Sequence, residues 1–191
     1  MTPTRLAIAT GNAGKLREFE ALLEGSGLEL IACPVEVEET ASTYAGNARL
    51  KAEAAVRRTG LPALGDDSGL EVQALGGFPG LRSRRIADTQ PERDAIILSR
   101  LREVPRPWRA RFVCSLVLAV PGGAAQAFRG SVEGELAEAP RGGRGFGYDP
   151  LFLVPELGLT FGEMSDERKR RLSHRGRAVE ALRRSAVLRR L

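Results

Sequence analysis

The sequence is poor in the residues that build zinc sites and covalent catalytic triads. It has one histidine, His174, and two cysteines, Cys33 and Cys114, which lie far apart and form no Cys-x-x-Cys pair. A zinc site needs several such ligands at short spacing, and a serine or cysteine nucleophile needs a base beside it. We therefore expect neither, and two isolated cysteines favour a reducing compartment, which predicts a cytoplasmic protein.

Long apolar runs and aromatic residues are also scarce. The longest apolar run, residues 116–120, is far shorter than the roughly 20 residues that a membrane-spanning helix needs. No signal peptide is recognisable at the N-terminus, so a soluble protein is expected. The net charge of +5 favours an anionic partner, with nucleotides, nucleic acid and acidic membranes as candidates. Only 5% of residues are aromatic and no nucleic-acid-binding motif is recognisable, which argues against nucleic acid.

The chain nevertheless has the composition of a folded protein. Hydrophobic residues make up 42% and charged residues 28%, which predicts a packed core in one globular unit or in two small lobes. Apolar strand-like runs at residues 6–9, 28–32, 63–65, 70–72 and 111–120 alternate with helical patterns. The turn at residues 121–123 predicts a hairpin and hence a mixed sheet. Residues 168–190 are rich in arginine, which is typical of a solvated helix face.

Two adjacent carboxylates, Asp66 and Asp67, follow the apolar run at residues 63–65. Neighbouring carboxylates repel unless a cation lies between them or they point apart, so such a pair suits a divalent metal. Gly65 and Gly69 allow the chain to turn sharply on either side of the pair, and we expect the strand at residues 63–65 to end there. The same residues also occur in ordinary turns, and the motif alone does not decide between the two interpretations.

Residues 10–15 form a glycine-containing loop between the first strand and the first helix. Such a junction presents backbone N–H groups and the positive end of a helix to an anion, and Lys15 adds a full charge. Many strand-to-helix turns have this composition for conformational reasons alone. Farther on, Asn47 and Lys51 share one face of the helix predicted at residues 44–58, after an acidic patch that includes Glu38 and Glu39.

Several of these motifs occur together in one order along nearly the whole chain. They are Thr-Gly-Asn-x-x-Lys at 10–15, Glu-Glu-Thr at 38–40, Asn-Ala-x-x-Lys-Ala at 47–52, Asp-Asp-Ser-Gly-Leu at 66–70, Gly-x-Pro-Gly at 77–80, Gly-Phe-Gly-Tyr-Asp-Pro at 145–150, and Lys169 five residues before His174-Arg175. The sequence thereby closely resembles the inosine triphosphate pyrophosphatase family. That family hydrolyses deaminated purine nucleoside triphosphates.

The resemblance implies a fold, a reaction and a cofactor. The fold would be an elongated, two-lobed α/β domain over residues 1–191, with a long mixed sheet flanked by helices and a central active-site cleft. The reaction would convert ITP, dITP or XTP into the nucleoside monophosphate and pyrophosphate with Mg²⁺ as cofactor. A cytoplasmic homodimer is expected, with no nucleic-acid or membrane partner.

The resemblance also assigns roles to residues by their positions in the motifs. Asp67 would be the general base or a metal ligand, Lys51 would support catalysis, and Glu38 or Glu39 would complete the metal site. The residues expected to bind substrate are Thr10, Gly11, Asn12, Ala13, Gly14, Lys15, Ser68, Phe146, Gly147, Tyr148, Asp149, Lys169, His174 and Arg175. Donors from Arg175 or from backbone N–H groups would favour purines that carry a keto group at C6.

Several alternatives stay open at this point. The sequence does not decide between Glu38 and Glu39 as metal ligand, nor between Asp66 and Asp67 as the residue that orients the attacking water. Exclusion of guanine, which shares the C6 keto group, would depend on the shape of the base pocket. The competing functions are a pyrophosphatase that prefers other modified or standard nucleotides, and a basic nucleic-acid-binding protein.

Overall fold

The computed structural model of the chain describes residues 3–188 and 191. These residues form seven strands and five α-helices, in the order β1 (Thr4–Ala9), α1 (Ala13–Leu22), β2 (Leu28–Ala32), α2 (Tyr44–Thr59), β3 (Ala63–Val72), α3 (Gln90–Leu101), β4 (Arg109–Ala119), β5 (Gln126–Leu136), β6 (Phe152–Val154), β7 (Leu159–Thr160), α4 (Asp166–Leu172) and α5 (His174–Arg184). No helix among them is long and apolar enough to cross a membrane. The last two arginines of the predicted basic segment, at 189 and 190, lie outside the described residues.

The strands form one mixed sheet in the order β2-β1-β3-β4-β5-β6-β7. β1 is parallel to both β2 and β3, whereas β6 is antiparallel to both β5 and β7. The parallel pairs arise because α1 and α2 each connect one strand to the next, as the sequence pattern of strand, loop and helix requires. The predicted α/β class and mixed sheet are confirmed.

The chain divides into two compact units, which are described separately. Unit 1 contains the described residues up to Asp67, then Cys114–Gly130, and the residues from His174 onward. Unit 2 contains Ser68–Val113 and Ser131–Ser173. That residues 1–191 act as a single enzyme domain stays a prediction.

Unit 1 buries both faces of β1 from Leu6 onward. Leu6 and Ile8 of β1 pack with Phe19 of α1 and Val179 of α5 on one face. The intervening residues, such as Ala7, pack on the other face with residues of α2, including Ala55. This alternation follows from the two-residue period of a strand, and it gives the two faces of β3 different neighbours as well.

Unit 2 has its own core, which is more aromatic. The rings of Phe112, Phe152 and Phe161 lie with centroids 4.6 to 6.1 Å apart. α3 covers this core with Ile97 and Leu101, which are fully buried. Its first turn carries a capping box, in which Thr89 and Glu92 exchange hydrogen bonds between side chain and backbone.

The prediction that the strand ends at the acidic pair is wrong. Residues 63–72 form one continuous strand, so Asp66 and Asp67 lie inside β3 and not at a strand end. Gly65 serves a different purpose, because a β-carbon there would lie 2.1 Å from the carbonyl oxygen of Ala48. The backbone of α2 thus approaches β3 too closely for any side chain at this position.

Candidate active site

Asp66 and Asp67 are adjacent in β3 but face different surroundings. Both are buried, with relative exposures of 3% and 6%. Because successive side chains of a strand point to opposite faces, Asp67 contacts residues of α2, whereas Asp66 contacts residues of α1 and α5. The two carboxylates therefore belong to separate networks.

Asp67 lies at the centre of a group that we call the acidic centre, formed by Glu39, Asn47, Lys51 and Asp67. Asn47 Nδ2 donates to Asp67 Oδ2 at 3.2 Å, and Lys51 Nζ lies 3.4 Å from Asp67 Oδ1. Lys51 Nζ also lies 2.5 Å from Glu39 Oε1. The ammonium group of Lys51 thus bridges two carboxylates that come from different parts of the chain.

The electrostatics of the acidic centre favour a basic carboxylate. Burial raises the pKa of Asp67. The positive charges of Lys51 and Lys15 oppose that change, whereas the negative charges of Glu39 and Asp66 add to it, so that the pKa of Asp67 ends above its ordinary value. Burial lowers the pKa of Lys51, but the charges of Asp67 and Glu39 outweigh burial and raise it. Asp67 therefore combines proton affinity with a neighbouring cation that stays charged.

The acidic centre also fits a divalent cation completed by substrate. Glu39 and Asp67 already converge on one positive charge, that of Lys51. Glu38 is exposed, whereas Glu39 is half-buried, so the geometry favours Glu39 as the partner of Asp67. Among the described residues no group of three or more His, Cys, Asp or Glu could hold a metal. Two carboxylates suit Mg²⁺, which commonly takes its other ligands from phosphates and water.

Asp66 is held by a second group, the Asp66 network, which comprises Lys15, Glu18, Asp66, Cys114 and Arg175. Lys15 Nζ lies 2.7 Å from Asp66 Oδ2, and Arg175 Nη2 donates to the same oxygen at 3.2 Å. Cys114 Sγ donates to Asp66 Oδ1 at 3.3 Å. Arg175 also forms an ion pair with Glu18 through Nη1.

The surroundings of Asp66 and Arg175 keep both of these side chains ionised. Burial alone raises the pKa of Asp66, yet the charges of Lys15 and Arg175 hold it well below its usual range. Burial lowers the pKa of Arg175, but Asp66 and Glu18 raise it above its usual value. A carboxylate with a strongly lowered pKa is a poor proton acceptor, so the environment of Asp66 suits an anchor for two cations and that of Asp67 suits a base.

The glycine loop at residues 10–15 differs from the sequence-based expectation. Asn12 caps α1, and its Oδ1 accepts hydrogen bonds from the N–H groups of Gly14 at 2.8 Å and Lys15 at 3.2 Å. The N–H group of Asn12 donates to Thr10 Oγ1 at 3.1 Å. Three N–H groups that were expected to face an anion are therefore satisfied within the loop. The charge of Lys15 and the helix dipole are the features of this loop that can attract phosphate.

His174 and Arg175 open α5, and both are buried. β5 passes close to this turn, because a β-carbon on Gly130 would lie 2.1 Å from the carbonyl oxygen of His174. The guanidinium of Arg175 stacks near the ring of Phe19, with 5.7 Å to the centroid. The side chain is 2% exposed and engages two carboxylates, which suits a residue that orients α1 and β3.

In unit 2, Phe146, Asp149 and Lys169 form a compact group that we call the Phe146 cluster. Asp149 Oδ2 accepts from Lys169 Nζ at 2.6 Å and from the Phe146 N–H at 2.7 Å. Lys169 Nζ lies 4.9 Å from the centroid of the Phe146 ring. A β-carbon on Gly145, which has φ +75°, would lie 2.2 Å from Asp149 Oδ2, so this loop requires glycine there. Two motifs that are distant in the sequence thus converge on one buried ion pair.

The other predicted residues of this region have less distinctive surroundings. Tyr148 is buried, and its hydroxyl donates to the carbonyl oxygen of Ser83 at 2.7 Å, which ties the loop to a neighbouring turn. Gly147 and Ser68 are half-buried, and Ser68 follows Asp67 directly on β3. Their predicted contacts with substrate stay predictions.

Three residues of these networks were not predicted as site residues. Asn47 begins the motif at residues 47–52 but received no role, Glu18 lies one helical turn after Lys15, and Cys114 comes from a distant strand. The spacing of Glu18 from Lys15 is a usable signal for a shared helix face. Nothing in the local sequence links Cys114 to Asp66, because that contact depends on the pairing of the sheet.

The chain is similar to known proteins over most of its length. A family model described as the Ham1 family matches residues 6–185. The chain is 52% identical over 186 residues to a protein of Thermus thermophilus named dITP/XTP pyrophosphatase, covering 93% of this chain and 89% of that protein. It is 49% identical over 185 residues to a Deinococcus radiodurans protein of the same name, covering 93% and 90%. A solved HAM1 protein from Coxiella burnetii is similar with a TM-score of 0.86 and 38% identity, over 98% of this chain and 100% of that one.

Proposed function

The chain belongs to the Ham1 family, and from that premise we propose that it hydrolyses non-standard purine nucleoside triphosphates. The substrates are dITP, ITP and XTP, and the products are the nucleoside monophosphate and pyrophosphate. The observation that carries this conclusion is the agreement of curated relatives, named dITP/XTP pyrophosphatases, at about half identity over 93% of the chain. The resemblance inferred from the sequence motifs is thereby confirmed.

Asp67 is the residue best suited to accept a proton from the attacking water. Each of its oxygens has one donor, Asn47 on Oδ2 and Lys51 on Oδ1, which fixes the plane of the carboxylate. Burial raises the pKa of this carboxylate above its ordinary value, which favours a base, whereas an Mg²⁺ bound to the same carboxylate would lower that pKa. A water molecule aligned by the remaining lone pairs of Asp67 would lose its proton there as it attacks the phosphoanhydride.

Lys51 and Lys15 supply positive charge close to the two aspartates. Each ammonium group has three N–H donors, and Lys15 engages Asp66 while Lys51 engages Glu39 and Asp67. Fixed cations of this kind stabilise the negative charge that accumulates on phosphate oxygens as the bond breaks. Contacts with these carboxylates hold both ammonium groups close to the two aspartates before substrate arrives.

We propose Mg²⁺ as the cofactor, held by Asp67 and Glu39. The support is the convergence of these two carboxylates on a single positive charge. When bound with substrate, Mg²⁺ would neutralise charge on the phosphate oxygens and orient them. Glu38 is the weaker candidate because its side chain is exposed.

Recognition of the purine needs donors that match a keto oxygen at C6. Adenine carries an amino group there and would leave such donors unpaired. Arg175 is the candidate donor in unit 1, although Glu18 and Asp66 already form ion pairs with its guanidinium. In unit 2, the Phe146 ring offers a surface on which a base can stack, held by Asp149 and Lys169.

We also propose a cytoplasmic homodimer, on the strength of the family resemblance alone. Light scattering after gel filtration would measure the mass directly. A mass of one chain at micromolar concentration would contradict the dimer and leave the proposed reaction untouched.

The decisive experiment is a panel of triphosphates with identified products. We expect the purified protein with Mg²⁺ to hydrolyse XTP, dITP and ITP far faster than ATP, GTP and the pyrimidine triphosphates. Chromatography should show monophosphate and pyrophosphate. Release of orthophosphate in steps would contradict the proposed reaction, and a preference for a standard or pyrimidine nucleotide would establish the alternative pyrophosphatase.

A further inference from the structure

Asn47 is a fully buried amide on the apolar face of a helix. It lies in the first turn of α2, and the residues that share its buried face, Ala48, Ala52 and Ala55, are all alanine with 0% exposure. Burying an amide is unfavourable unless both of its ends form hydrogen bonds. Both ends do so: one bond reaches Asp67, and the other reaches the backbone of Ala41.

The two ends of the amide perform different tasks. Its Nδ2 donates to Asp67 Oδ2 at 3.2 Å, while its Oδ1 accepts from the N–H of Ala41 at 3.0 Å. Ala41 lies two residues after Glu39, in the segment that leads into α2. One side chain thus holds both the Asp67 carboxylate and the segment that carries the second carboxylate.

We infer that Asn47 is a positioning residue for the proposed hydrolysis: it fixes the plane of the Asp67 carboxylate and the location of Glu39 relative to it. The inference rests on the proposed function, and it adds a residue to which no role in the reaction was predicted from the sequence motifs. Asn47 acts through Asp67 and Glu39 and does not itself contact the reacting atoms.

The geometry explains why an amide is required at position 47. Asn47 and Lys51 are four residues apart on α2, so each can supply one donor to one oxygen of Asp67. Rotation of the carboxylate about its own axis would break both bonds, and its plane is therefore defined. A hydroxyl is too short to span both partners, whereas a carboxylate at position 47 could still accept from Ala41 but would repel Asp67.

Two substitutions separate the two tasks. Asn47→Ala removes both hydrogen bonds, whereas Asn47→Asp keeps the acceptor for Ala41 and loses the donor to Asp67. With XTP and Mg²⁺ we expect both variants to lower kcat by at least ~10-fold, with a much smaller change in KM, since supporting partners of a catalytic group commonly contribute roughly 10- to 100-fold. Hydrogen exchange of the peptide covering residues 38–43 should accelerate in Asn47→Ala and stay slow in Asn47→Asp.

A double-mutant cycle distinguishes positioning from general destabilisation. If Asn47 acts through Asp67, Asn47→Ala should reduce kcat by less than about twofold once Asp67→Ala is present, because the effects of coupled residues are not additive. Ala55→Gly is the matched control, since it weakens α2 and contacts neither carboxylate; its kcat should equal that of the parent protein.

The outcomes separate the inference from the function on which it rests. Parental kcat in both Asn47 variants, or an equal loss in the presence and absence of Asp67, would overturn the positioning role while XTP hydrolysis by the parent stands. Unchanged exchange at residues 38–43 in Asn47→Ala would overturn its effect on the Glu39 segment. A parent protein that hydrolyses no purine triphosphate would overturn the proposed function itself.

Discussion

At the scale of single residues, the two adjacent aspartates have opposite electrostatic environments. The pKa of Asp67 is raised, first by burial, whereas that of Asp66 is lowered by Lys15 and Arg175 in spite of burial. A pair that reads as one motif in the sequence therefore consists of a potential base and a charge anchor. Substituting each by asparagine tests this division, because the substitution keeps shape and removes charge.

Asp67→Asn should impair turnover and leave the fold intact. We expect kcat for XTP to fall at least ~10²-fold, because both proton transfer and metal binding depend on the lost charge. Circular dichroism and the melting temperature should remain close to those of the parent. Turnover within a few-fold of the parent would remove Asp67 from the mechanism.

Asp66→Asn should primarily reduce stability. The carboxylate compensates two buried cations, Lys15 and Arg175, and removing one partner of a buried ion pair typically costs about 3 to 5 kcal/mol. Urea unfolding of Asp66→Asn, of Asp67→Asn and of the parent protein would compare their free energies of unfolding. A free energy of unfolding equal to that of the parent would mean that Asp66 is not the anchor of this network.

Arg175→Ala tests the sequence-based hypothesis of base recognition. If the guanidinium donates to the C6 keto oxygen, kcat/KM for ITP and XTP should fall by an amount that corresponds to a loss of about 1 to 3 kcal/mol in transition-state binding. The rate with ATP should change little. Rates for ITP, XTP, GTP and ATP measure this directly. An equal proportional loss for every nucleotide would instead assign Arg175 to holding Glu18 and Asp66, the contacts it makes in the structure.

At the scale of elements, the acidic centre depends on the close approach of α2 to β3. Gly65 allows the carbonyl of Ala48 to lie against the strand, and that contact brings Asn47 and Lys51 to Asp67. Gly65 and Asp67 are two residues apart and so share the face of β3 that α2 covers. The glycine of the motif is thus a packing requirement for the site.

Gly65→Ala should therefore destabilise the protein. The added β-carbon would lie 2.1 Å from the Ala48 oxygen and 2.8 Å from the Ala52 nitrogen, and both are helix backbone atoms that cannot move independently. We expect a loss of about 1 to 3 kcal/mol, as for other overpacked sites, together with reduced kcat as α2 shifts. Gly143→Ala is the control, since nothing lies within 4 Å of its added carbon; equal stability of the two variants would contradict the packing argument.

The elements also show what the sequence can and cannot predict. The capping box of Thr89 and Glu92 was predictable because its bonds join residues three apart. The role of Gly65 was not predictable. A glycine that permits a turn and a glycine that permits close approach of a helix are the same residue in the sequence, and only the position of the facing helix distinguishes them. Likewise, Glu39 becomes the favoured partner of Asp67 only through Lys51, a contact that depends on where α2 packs.

At the scale of the whole molecule, the positive charge is divided between site and surface. Lys15, Lys51 and Arg175 are engaged with carboxylates in unit 1, whereas Arg171 and Arg184 form exposed pairs with acidic residues one helical turn away. Exposed pairs of this kind contribute little to stability. The net charge of +5 is thus compatible with an enzyme that binds an anionic nucleotide.

The proposed Mg²⁺ site also predicts how the whole protein responds to removal of the metal. In the proposed site, Mg²⁺ would be held jointly by Glu39, Asp67 and the substrate phosphates, so the metal would serve the reaction and not the fold. EDTA should therefore abolish XTP hydrolysis, and excess Mg²⁺ should restore it, while the melting temperature without nucleotide stays unchanged. With a non-hydrolysable triphosphate present, Mg²⁺ should raise the melting temperature by mass action. Hydrolysis that persists in EDTA would contradict the two-carboxylate site, and a large loss of stability in EDTA alone would instead indicate a structural metal.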